Sequence, residues 1–268
     1  MRMLRIFLMG GCLFLTLLPT APAGAAKEDP SSRWPNARER GSYQAKIAST
    51  GEILWWVNWE TTVGETAGGK RVEIVEEGKG RPWKYPELIT WKKRMVFEAS
   101  PSAVIVESVR GKRWTQEGEF LSEIEIERDA TGTEMVYRDS LPGEPMESAT
   151  LKWTPQILPD ELLFHWARMI LFAEPGEAKC LLWISPKRRF RMTAQVQGTE
   201  TVTTPAGTFS CYRVGLRPEL FGPLKRLAPK LALWCTTEAP HFWVRYRGPV
   251  GGPGSPEAVI ELVEFRQK

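Results

Sequence analysis

The feature that most constrains this chain is a two-residue alternation that restarts again and again. "EFLSEIEIERD" (119–129) is the clearest instance: Ile124 and Ile126 fall on one side, and Glu123, Glu125 and Glu127 on the other. A period of two marks an extended strand with one buried and one solvated face, as in antiparallel sheets. The glutamate row needs no metal or acid chemistry, because a solvated strand face accounts for it. In the first half, "GEILWWVNWETTVGE" (51–65), "KRVEIVEEG" (70–78), "ITWKKRMVFEAS" (89–100) and "AVIVESVRG" (103–111) are further strand runs with Gly or Pro punctuation. In the second half, "AKCLLWIS" (178–185), "FRMTAQVQGTETVTT" (190–204), "TFSCYRVGL" (208–216), "LALWCTTE" (231–238), "HFWVRYRG" (241–248) and "AVIELVEF" (258–265) continue the series.

One segment breaks the rule. "PDELLFHWARMILFAEPG" (159–176) has helical spacing, with Asp160 as an N-cap candidate and Pro175-Gly176 as a stop. Glu161, His165 and Arg168 form one narrow polar stripe, read as solvated, and apolar side chains cover the rest. Such a helix is buried on most sides. Many strands, one helix, then many strands predicts a mainly β fold. The expected form is a large curved antiparallel sheet or half-barrel with the 160–173 helix on its concave side. A sheet of this size must curl, split or close to manage its edges.

The N-terminus predicts export. Arg2 and Arg5 precede an apolar run from Ile6 to Leu18, and Ala23-Gly24-Ala25 fits a signal-peptide cleavage pattern. The run is too short to span a bilayer. The expected organisation is a signal peptide over 1–25, a poorly ordered lead-in over 26–50 and a single β-rich domain over 51–268. The periplasm is the expected location, with lipid anchoring at Cys12 as the alternative. Cleavage removes two arginines and no acid from a chain of formal charge +4, leaving it close to neutral and giving no reason to expect a nucleic-acid partner. The mature chain has no further stretch of transmembrane length.

Catalytic motifs are sparse. With only His165 and His241, a histidine-rich zinc site cannot be built, and neither H-E-x-x-H, C-x-x-C, G-x-S-x-G nor a phosphate-binding glycine loop occurs. No catalytic residue, metal or cofactor is expected. Cys180, Cys211 and Cys235 survive cleavage, and an oxidising compartment allows one disulfide, with Cys211–Cys235 the candidate; three buried thiols are the other reading. A thiol-dependent enzyme could draw only on Cys211, Cys235 and His241.

Twelve tryptophans are the most unusual compositional feature. Sheet packing explains them; the functional reading is an aromatic-lined pocket for an amphiphile, with Trp166, Phe164, Met169, Trp183 and Trp234 as candidate lining residues.

The order "GEILWWVNWETTVGE", buried helix, "VQGTETVTTPAGTFSCYRVGL", then "LWCTTEAPHFWVRYRGP" resembles an exported bacterial family known as domain of unknown function 3108. The resemblance rests on Gly198, Glu200, Thr204 to Phe209, Trp234, Pro240 and Val244 to Tyr246. It implies an exported β-rich domain and carries no catalytic residue. Two functions stay open: a non-catalytic binding or carrier module for a lipid or other amphiphile, and an envelope component with a filled core and a protein partner.

Overall fold

A computed structural model describes residues 34, 38–82, 85, 87–100, 103–170, 176–219, 230–250 and 255–267. The signal peptide expected over 1–25 lies outside them. The first eight strands are β1 (Glu39–Ile47), β2 (Ile53–Thr66), β3 (Gly69–Gly80), β4 (Ile89–Ala99), β5 (Val104–Thr115), β6 (Phe120–Arg128), β7 (Glu134–Ser140) and β8 (Glu147–Lys152). A short β9 (Ile157–Pro159), a 3-10 turn (Asp160–Leu162) and helix α1 (Leu163–Ile170) follow. The chain then forms β10 (Glu177–Ser185), β11 (Arg188–Thr204), β12 (Gly207–Pro218), β13 (Leu231–Thr236), β14 (Trp243–Pro249) and β15 (Glu257–Gln267).

All fifteen strands belong to one sheet, in the order β8-β7-β6-β5-β4-β3-β2-β1-β15-β14-β13-β12-β11-β10-β9. Two meanders are joined where the first and last strands pair, and every neighbouring pair is antiparallel except β9–β10. The sheet is curved but open, with β8 and β9 as its edges. Side chains bridge the region between them. The Tyr137 hydroxyl on β7 donates to the Ile184 carbonyl on β10 at 3.0 Å, and Lys187 pairs with Glu147.

Register shows how the concave face is made. Glu39, Thr61, Ile74, Met95, Val109, Ile126 and Tyr137 are successive partners across β1 to β7, and every one is buried. The glutamates of β6 face the other way and pair with Arg110, Lys112 and Arg138, as a solvated strand face should.

Two expectations are corrected. The stretch 39–47 is not a poorly ordered lead-in but a central strand paired on both sides. "ERGSYQAKI" looks polar, yet Tyr43 and Ala45 are buried and Glu39 is held by an ion pair, so pairing and partners outweigh composition. Asp160 does not cap α1; it lies in the 3-10 turn, and no side-chain cap bond forms there.

The Gly-x-Glu and Thr-Pro-Ala-Gly elements shape the β11–β12 hairpin. A bulge between Val196 and Gly198 breaks the register, and Gly198 takes φ 143°, which favours glycine. Beyond it the Glu200 carboxylate accepts from the Trp234 indole, and at the tip the Ala206 N–H faces the Leu262 carbonyl at 3.3 Å. The hairpin tip is therefore tied onto β15.

Candidate functional site at one end of the half-barrel

Antiparallel order gives the half-barrel two ends. The β1–β2, β3–β4, β5–β6, β7–β8 and β10–β11 connections lie at one, and the chain leaves β9 there for α1. The opposite end receives the chain before β1 and holds the β11–β12 and β13–β14 connections. Helix α1 runs inside from the first end to the second.

At the second end, Trp34 is buried, 1% exposed. Its indole N–H donates to the Met169 sulfur at 3.1 Å, its ring meets Phe97 edge-on, and its carbonyl accepts from Lys70 at 2.6 Å. The Arg168 guanidinium lies 4.1 Å over the same ring. Both terminal guanidinium nitrogens donate to Glu39 at 3.0 Å, and Nε donates to the Pro240 carbonyl. Two charges this deep are tolerable only because each is fully partnered. Tyr43 stacks on Trp243 at 3.6 Å and donates its hydroxyl to that residue's carbonyl. His241 is buried with Nδ1 2.9 Å from the Thr236 carbonyl.

At the first end the interior is polar and less complete. Glu76 on β3 is 4.0 Å from Lys93 on β4 and 4.0 Å from His165 on α1, with 19%, 24% and 13% of these side chains exposed. Asp160 and Glu161 enter from the 3-10 turn and are half-buried. Burial pushes the Asp160 carboxyl well above its usual range, and the charge of Glu161 and a hydrogen bond to it push it further. Burial also raises Glu76, an effect that Lys93 opposes and Glu161 reinforces. His165 moves the other way, down to about 3, through burial and then the charges of Arg168 and Lys93; it is neutral at physiological pH. Asp160 Oδ1 and Glu161 Oε2 are buried acceptors without a hydrogen-bond partner among the described residues, and the buried Trp183 N–H is an unpartnered donor. Such groups cost free energy unless something hydrogen-bonds to them.

This recess was missed in sequence. Sequence spacing alone makes Glu161, His165 and Arg168 a solvated stripe, but in the structure His165 faces Glu76, Arg168 pairs with Glu39, and Arg168 is 4% exposed. The available signal was Glu76 and Lys93 at strand positions whose parity matches the buried residues Ile74 and Met95.

The five residues named as lining are not gathered around one cavity. Phe164 packs against Trp243 and Tyr246 at 4.9 Å, Trp166 is buried, and Met169 accepts from Trp34. Trp183 lies against Tyr137 at 5.4 Å. Trp234 pairs with Arg213 on the face opposite Leu233 and Tyr246, so it points away from α1. A recess of about 660 Å³ lined by Arg40, Glu60, Glu73 and Glu264, among others, and one of about 400 Å³ lined by Trp56, Lys79 and Trp91, among others, include none of the five.

The disulfide expectation is corrected. Cys180, Cys211 and Cys235 are free and buried. Cys211 pairs with Thr236 and Cys235 with Tyr212, one step out of register, so the two sulfurs point to opposite faces. Burial raises all three thiols, Cys211 to about 11 and Cys180 to about 12, leaving them poor nucleophiles. Among the described residues, no group of three His, Cys, Asp or Glu side chains has the arrangement of a metal site. No helix of the described residues is long and apolar enough to cross a membrane.

With this geometry in hand, comparison places the chain by fold. A β-barrel-like protein of domain of unknown function 1849 from Brucella abortus superposes with a TM-score of 0.53 at 12% identity, covering 87% of this chain and 98% of that one. The likeness is one of fold alone. A Bacteroides fragilis protein described as exported, with a YmcC-like fold, gives 0.38 at 12% identity over 85% of this chain and 95% of its own. A Parabacteroides distasonis protein described as a lipoprotein gives 0.35 at 15% over 85% and 94%. No family model and no curated protein matches the sequence, so membership of domain of unknown function 3108 is not shown.

Proposed function

We propose that the chain is an exported, non-catalytic binding module of the bacterial periplasm. It takes the polar headgroup of an amphiphile in the recess formed by Glu76, Lys93, Asp160, Glu161 and His165. The observation that carries this reading is the pair of buried, unpartnered acceptors, Asp160 Oδ1 and Glu161 Oε2, in one cluster with the largely buried Glu76, Lys93 and His165. Acceptors of that kind suit a headgroup bearing hydroxyl or ammonium donors. Signal-peptide character in residues 1–25 supports export.

The expectation of an aromatic-lined pocket beside Trp166 gives way to headgroup binding, because Trp34, Phe97, Leu162 and Ala167 occupy the concave interior. That same filling favours the second reading, an envelope component that binds a protein partner. Lysophosphatidylethanolamine and dodecyl maltoside, titrated against tryptophan fluorescence, distinguish the two. Headgroup binding predicts saturable shifts that weaken at least about tenfold in Asp160→Asn/Glu161→Gln, because each substitution replaces one carboxyl oxygen with an amide nitrogen that cannot accept. No saturation with either probe, together with a stable partner in envelope pull-downs, favours the second reading.

A further inference from the structure

We propose that the recess end docks on an anionic lipid bilayer through a tip made by residues 141–146 between β7 and β8, residues 186–187 between β10 and β11, and the first residues of β11. The Lys187–Glu147 ion pair brings them together across the gap between the sheet edges. The first turn presents Met146, 59% exposed, and Leu141, 44% exposed. The second turn and the start of β11 present Lys187, Arg188 and Arg189, all exposed, with Arg191 exposed just beyond. Arg188, Arg189 and Arg191 have no carboxylate partner among the described residues, whereas Arg71, Arg94, Arg110, Arg138 and Arg247 each pair with a glutamate. Unneutralised guanidinium groups beside two projecting apolar side chains combine the two attractions that hold a protein at a bilayer surface: cations toward anionic headgroups and apolar atoms into the acyl boundary.

Charge complementarity selects the occupant. The tip carries four cations against Glu144 and Glu147, and Lys187 already neutralises Glu147. The apolar character continues along the same end at Ile53, Trp56 and Phe120, the other large hydrophobic side chains exposed among the described residues. Glu117 and Glu119 in the β5–β6 turn would be repelled by anionic lipid, which confines close approach to the seam. This inference goes beyond the headgroup reading and does not depend on it, since it uses none of the recess residues.

The test is co-sedimentation of protein processed and recovered from a host periplasm with two kinds of vesicle. One holds phosphatidylglycerol mixed with phosphatidylcholine, the other phosphatidylcholine alone. Docking predicts binding to the first, none to the second, and release by high salt. Arg188→Ala/Arg189→Ala should weaken binding about 30-fold, while Arg188→Lys/Arg189→Lys, which keeps the charge, binds like the unaltered protein. Leu141→Ser/Met146→Ser should also weaken it. These side chains are exposed, so folding is not at stake, and circular dichroism checks it. The proposal is overturned if the protein binds neither vesicle, binds both equally, or binds unchanged after the alanine substitutions. It is also overturned if those substitutions break a dimer instead. A headgroup-deficient Asp160→Asn/Glu161→Gln protein that still sediments with anionic vesicles separates the two ideas.

Discussion

The two ends of the half-barrel are built from the same strands and threaded by the same helix, yet they are finished in opposite ways. At the Trp34 end the buried charged and hydroxyl groups form one partnered network: Glu39 takes two nitrogens of Arg168, Arg168 reaches Pro240, Lys70 reaches the Trp34 carbonyl, and Tyr43 reaches Trp243. At the recess end, carboxyls crowd one another and two of their oxygens lack partners. The difference teaches where function can reside. A fully satisfied polar network fixes one arrangement, whereas an incomplete one retains hydrogen-bonding capacity for a ligand.

The largest effect expected is at the closed end. Glu39→Gln should cost about 3–5 kcal/mol in urea unfolding, since it strands the Arg168 charge in the interior. Glu39→Leu/Arg168→Met should cost far less, because it strands nothing. A single variant within about 1 kcal/mol of the unaltered protein would erase the contrast between the ends. Trp34→Ala comes next, at about 3 kcal/mol, from the lost aromatic packing on Phe97 and Arg168. A smaller loss would mean that this side chain is not integral to the core.

The recess end should respond to pH rather than to truncation. Asp160 and Glu76 have raised pKa values in the folded state, so the folded protein holds their protons more tightly. Their stabilising contribution is present at low pH and is lost as pH rises through the folded values. Asp160→Asn should therefore raise the urea midpoint at pH 7 and change it little near pH 4. His165 has the opposite sign. With its folded value near 3 against an ordinary 6.5, the unfolded chain binds the extra proton, and stability falls as pH drops from 6.5 toward 3. His165→Gln should flatten that limb, and a pH series of urea midpoints measures both.

The smallest effect concerns the thiols. Cys180, Cys211 and Cys235 should resist a thiol reagent in the native protein and react together on unfolding. Mass spectrometry that finds a native Cys211–Cys235 bond would contradict the register of β12 and β13.

Most of the fold was legible because its code is local. Ile124 and Ile126 against their glutamates and the Thr204–Gly207 turn each express a preference of a few neighbouring residues. Strand β1 was not legible, since Glu39 and Gly41 break its apolar pattern and are accommodated only by distant partners: Arg168 for the first, and the Trp59 ring and Glu264 carbonyl that lie where a Gly41 side chain would be. The recess was hidden for the same reason. Glu76, Lys93 and His165 are separated widely in sequence, and each taken alone reads as a surface residue.

The sequence by itself determined a β-rich sheet with one helix, because alternation and helical spacing are read within a dozen residues. Only the tertiary structure decided which polar residues turn inward, that the first strand closes against the last, and that Cys211 and Cys235 face apart. Those outcomes depend on register and curvature summed across fifteen strands, and no local preference specifies either.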